Sequence, residues 1–81
     1  MREYQACVLL NVEQKYAITT ARRLKTLKGV ISVSVTTGPY DIVVTVEATN
    51  AADLANVIVE EISTVEGVKS TMTLVVLLNI D

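Results

Sequence analysis

Two segments of this chain end in the same way, and that shared ending limits the fold more than any other feature. Leu24-Lys25-Thr26-Leu27-Lys28-Gly29-Val30 and Ile62-Ser63-Thr64-Val65-Glu66-Gly67-Val68 each close a helical stretch on glycine and enter a strand through valine. Glycine suits the position just past a helix because it takes positive φ at no steric cost, and valine suits a pleated strand. Each ending follows a helix pattern, and each helix pattern follows a strand pattern. The order is therefore β-α-β twice.

The first strand is expected over Tyr4 to Leu10, with apolar residues on both faces. Asn11 then offers an N-cap oxygen and Gln14 lies three residues on, which predicts a capping box opening the first helix. Ala17, Ala21, Leu24 and Leu27 form its apolar stripe. Val30 to Thr36 alternates Ile31, Val33 and Val35 with Ser32, Ser34 and Thr36, the period of a strand with one drier face. Ile42 to Ala48 alternates likewise, so the two runs form a hairpin around Thr37-Gly38-Pro39-Tyr40-Asp41. A second helix starts near Thr49 or Asn50 and buries Ala51, Leu54, Ala55, Ile58, Ile62 and Val65. Val68 to Ile80 closes the chain as one long strand.

This order predicts an α+β, ferredoxin-like βαββαβ domain spanning residues 1–81, with a four-stranded antiparallel sheet. Right-handed crossovers put both helices on one face and leave the other uncovered. Taking Ala6, Val8, Val33, Val44, Val46, Leu74 and Val76 as the helix side leaves Cys7, Leu9, Val43, Thr45, Thr73, Val75 and Leu77 on the far side. That far side is too apolar for water, so a homodimer pairing these faces is expected.

Composition narrows function further. A net charge of −2 argues against binding a phosphate backbone, which needs a concentrated basic surface. With no histidine, imidazole triads and His-ligated metals are excluded. The single cysteine forms neither an internal disulfide nor a CxxC motif. The acidic residues show no metal-loop spacing, so no metal and no cofactor are expected. No stretch approaches a membrane span, and the chain reads as cytoplasmic.

One polar cluster stands out on otherwise dry elements: Gly38, Tyr40 and Asp41 in the turn, with Thr71 and Thr73 in the last strand. An α-amino acid needs such groups, a carboxylate or hydroxyls for its ammonium and backbone N–H groups for its carboxylate. Pro39 cannot donate, which leaves the amides of Gly38, Tyr40 and Asp41. The residues alone leave an equal alternative, in which the threonines are ordinary strand hydroxyls and Asp41 is a solvated turn residue.

The turn Thr37-Gly38-Pro39-Tyr40-Asp41, followed by an aliphatic strand, a helix and Val65-Glu66-Gly67-Val68-Lys69-Ser70-Thr71-Met72-Thr73, resembles the effector-binding (RAM) domain of Lrp/AsnC transcriptional regulators. The resemblance implies a dimeric α/β-barrel pair of βαββαβ units that assembles further, commonly into an octamer. It also implies amino-acid effector sites between dimers, contacted by residues that match Gly38, Tyr40, Asp41, Thr71 and Thr73. Pro39 departs from the pattern and changes how the turn backbone meets a carboxylate. The helix-turn-helix domain of the regulators has no counterpart in these 81 residues, so direct DNA binding is not expected. Stand-alone members of this kind sense amino acids, modulate full-length Lrp/AsnC regulators or serve functions not yet assigned. Two rivals stay open: a small dimeric α/β-barrel enzyme, oxygenase or isomerase, and a purely structural oligomerisation partner.

Overall fold

The computed structural model describes residues 4–80. Strand β1 spans Tyr4–Val12, helix α1 Ala17–Lys25, β2 Val30–Val35, β3 Ile42–Ala48, α2 Ala51–Asn56 and β4 Val68–Val75. A 3-10 turn over Gln14–Tyr16 leads into α1, and α2 continues into a π-helical segment over Val57–Ile62. All strand pairs are antiparallel, in the order β2-β3-β1-β4. This is the ferredoxin-like βαββαβ arrangement.

The core is aliphatic and lies between the sheet and the helices. Val8, Leu10, Ile42, Val44, Val46, Leu24 and Ile62 are fully shielded from solvent. The inner positions of β1 and β3 are aligned by register, with Ala6 opposite Val46, Val8 opposite Val44 and Leu10 opposite Ile42. Directly opposed residues share a sheet face, so these pairs form one continuous wall beneath the helices.

Four local features differ from the sequence pattern. Asn11 does not cap a helix; it belongs to β1, opposite Ser70, and its Nδ2 donates to Ser70 Oγ at 3.3 Å. The strand instead runs on to Val12, and Glu13 precedes the 3-10 turn without a side-chain cap. In the second helix Asn50 does cap, accepting from Asp53 N–H at 2.8 Å. Beyond it the helix continues as the π-helical segment, with Ile62 buried as expected and Val57 buried as well, while Ala51 and Ala55 are exposed. The last strand stops at Val75, well short of Ile80.

The fourth difference concerns which face of β4 is which. Val8 lies opposite Thr73, Ala6 opposite Val75 and Leu10 opposite Thr71. Thr71, Thr73 and Val75 are therefore on the helix-bearing side, and Met72 and Leu74 on the bare side, the reverse of the expected assignment. The bare face then carries Cys7, Leu9, Val43, Thr45, Met72 and Leu74. Met72 is 49% and Leu74 52% exposed, and the other four are half-buried.

Candidate functional site

The turn between β2 and β3 is closed by its own backbone. Thr36 N–H donates to the Asp41 carbonyl at 2.8 Å, and Thr36 Oγ1 donates to the Tyr40 carbonyl at 2.9 Å. Gly38 takes φ +119°, a conformation that side-chain-bearing residues rarely adopt. Tyr40 is thereby aimed across the sheet end, where its hydroxyl donates to Met72 Sδ at 3.2 Å. It reaches toward the bare face.

Asp41 has two bonds to β1. Its N–H donates to the Leu10 carbonyl at 2.8 Å, and its Oδ2 accepts from Val12 N–H at 2.9 Å. Strand β1 runs two residues past its last pair with β3, Leu10 opposite Ile42, so the Val12 amide on that side has no ladder acceptor. Asp41 supplies one oxygen to that amide. The carboxylate also borders an open depression lined by Asn11, Val12, Glu13, Gln14, Lys69 and Ser70.

Thr71 is exposed and Thr73 half-buried, both on the helix-bearing side of β4. Neither helix packs extensively on this strand, so its inner face is open. One chain thus brings Gly38, Tyr40 and Asp41 together at the end of the sheet, and Thr71 and Thr73 together on β4. It does not bring the two groups together, because Tyr40 leans over the bare side and the threonines lie on the other.

The depression beside Asp41 adds Glu13, Lys69, Asn11 and Ser70 to the residues singled out from sequence. It contains carboxylates and an ammonium within one concavity, a pattern suited to a zwitterion. The spacing could have shown this only through the Asn11–Ser70 pairing, which is a tertiary fact. At the other end of the sheet a second cleft of 390 Å³ is lined by Lys28, Glu47, Asp53, Asn56 and Glu61, among others. None of the five sequence-selected residues borders it. Among the described residues there is no cluster of three or more His, Cys, Asp or Glu side chains arranged for a metal, and no helix long and apolar enough to cross a membrane.

Residues 5–81 match the family model described as Lrp/AsnC ligand binding domain. The fold superimposes on TTHA0845 of Thermus thermophilus with a TM-score of 0.90 and 28% identity, covering 98% of this chain and 99% of that one. Escherichia coli AsnC gives a TM-score of 0.88 and 26% identity, covering 96% of this chain and 53% of that one. A Neisseria meningitidis regulator, NMB0573, solved as an L-Met complex, shares the fold at a TM-score of 0.83 and 20% identity, over 96% of this chain and 52% of that one. Among curated proteins, a homocitrate synthase of Sulfolobus acidocaldarius is 44% identical over 62 residues, 76% of this chain but 13% of the enzyme. The chain thus spans a small fraction of the curated relatives it matches.

Proposed function

This chain belongs to the Lrp/AsnC ligand-binding domain family, and from that premise we propose that it is a non-enzymatic, amino-acid-binding regulatory module that works as a face-to-face dimer and higher oligomer. The observation that carries this reading is the split of the candidate site. The Tyr40 hydroxyl reaches Met72 on the bare side, Asp41 is bonded to the backbone at the end of β1, and Thr71 and Thr73 lie on the helix-bearing side of β4. A ligand held by Tyr40 and Asp41 of one copy meets the two threonines only if another copy supplies them. Binding and assembly are then linked, since one effector touches two chains.

In this reading the free oxygen of Asp41 takes the ammonium of the amino acid, and Lys69 with the amides of Gly38 and Tyr40 takes its carboxylate, the Asp41 amide being already bonded to the Leu10 carbonyl. The bare face, with Leu9, Val43, Met72 and Leu74 at its centre, pairs with its two-fold mate. The L-Met bound by the Neisseria regulator supports an amino acid as the ligand class. The homocitrate synthase segments support a module that regulates what it is joined to, a full-length regulator or an enzyme, without supplying the chemistry.

Thermal unfolding with each common amino acid tests the reading. A ligand at one hundred times its dissociation constant should stabilise the protein by about 2.7 kcal/mol, visible as a raised melting temperature. Unchanged melts with all of them would contradict it.

A further inference from the structure

One stripe of α1 and its 3-10 lead faces the loop that enters β4. Tyr16, Thr19, Thr20 and Arg23 line, with Glu66 and Gly67, a cleft of about 260 Å³. Arg23 and Glu66 also border a second cleft of about 410 Å³, which runs on toward Leu27 and Val65. Sharing those two residues, the clefts form one groove, and together they fall in the size range of small-molecule sites. The groove has no lining residue in common with the depression beside Asp41.

Its walls are fixed without a ligand. Thr20, the one buried polar side chain among the described residues, is 2% exposed, and its Oγ1 donates to the Glu66 carbonyl at 3.3 Å, which ties the loop to the helix. Gly67 sits so close that a Cβ would lie 2.5 Å from that oxygen. From the other side Glu13 N–H donates to the Gly67 carbonyl at 3.0 Å. At one end of the groove the Lys15 ammonium lies 5.6 Å from the centroid of the Tyr16 ring, a cation–π contact that holds this half-exposed ring. Walls held in this way lower the ordering cost of binding.

Arg23 and Glu66 bring opposite charges to the same groove, yet they do not neutralise each other. Among the described residues no ion pair or side-chain hydrogen bond engages the Arg23 guanidinium or the Glu66 carboxylate. A free cation and a free anion beside an aromatic ring suit a zwitterion with an apolar side chain.

We propose that this groove is a second ligand site, complete within one copy, for an amino acid with a large apolar side chain. The Arg23 guanidinium takes its carboxylate, the Glu66 carboxylate takes its ammonium, and its side chain lies against Tyr16 over Thr20 and Gly67. The site needs no second chain, so it does not rest on the shared site proposed above.

The test follows the backbone amide NMR signals of the full chain, parent and Leu9→Lys, on titration with L-phenylalanine. Residues 19–23 and 64–67 should shift in both proteins, because breaking the bare-face pairing leaves the groove intact. Hydrocinnamate and phenethylamine, each lacking one of the two charges, should bind about tenfold or more weakly. Arg23→Gln and Glu66→Gln alter exposed side chains outside the core, so far-UV circular dichroism should be unchanged while L-phenylalanine binds about tenfold or more weakly. No shift at residues 19–23 and 64–67, or parental affinity in both variants, would overturn the site. Shifts confined to residues 38–41 and 71–73 would also overturn it and leave the shared site standing. Shifts at the groove in Leu9→Lys, with none at those residues in the parent, would support the groove and count against the shared site.

Discussion

Asp41→Ala removes the acceptor that Oδ2 provides to Val12 N–H at 2.9 Å. Val12 is 2% exposed, so its amide has poor access to water once the carboxylate is gone. Leaving a buried donor unpaired costs about 1–3 kcal/mol, and a bond to a charged acceptor sits toward the upper part of that range. For a domain of this size each kcal/mol moves the melting temperature by about 4–8 °C, so a loss near 2 kcal/mol means roughly 8–16 °C. Asp41→Asn keeps an oxygen for the amide but not the charge, and should cost about 1 kcal/mol or less. The assay is thermal and urea unfolding at one fixed protein concentration, because association contributes to apparent stability. Effector binding then separates the two roles: Asp41→Asn should be nearly as stable as the parent yet lose most of the stabilisation by amino acids. An Asp41→Ala protein melting within about 2 °C of the parent would refute the strut.

Two glycine substitutions separate crowding from backbone strain. A Cβ on Gly67, at φ +99°, would lie 2.5 Å from Oγ1 of the buried Thr20, which itself donates to the Glu66 carbonyl, so Gly67→Ala should cost roughly 2–4 kcal/mol in urea unfolding. Gly38 has φ +119° but open space around it, so Gly38→Ala should cost only the strain, about 1–2 kcal/mol; a larger loss there than at Gly67 would contradict the geometry.

The repeated helix endings make the element order legible, because glycine after a helix and valine into a strand are local requirements that leave local marks. The Asn50 cap is legible for the same reason, its partner Asp53 being three residues away. Asn11 offers the same signal and misleads, since its partner is Ser70 across the sheet and no local rule reports it. A period of 3.6 residues per turn puts Ala55 on the buried stripe of the second helix. The buried stripe instead runs from Leu54 to Val57, three residues on, and leaves Ala55 exposed. Strand β4 defeats the alternation rule because its aliphatic residues answer to the bare face, whereas the helix layer does not extend over it. For the site, the turn residues are readable from glycine, proline and aspartate chemistry. Lys69, Glu13 and Ser70 are not, because only the β1–β4 pairing brings them beside Asp41.

Whether the bare face is covered is decided by the mass of the chain in solution at micromolar concentration, measured by sedimentation equilibrium. That face exposes about half of Met72 and Leu74 in a single copy, and its pairing with a second copy is the first step of the proposed assembly. The expected species is a dimer or a multiple of dimers, whose dissociation is driven by Leu9→Lys, a charge placed at the centre of that face. A parent chain sedimenting as a monomer throughout this range would contradict the pairing and the shared site together.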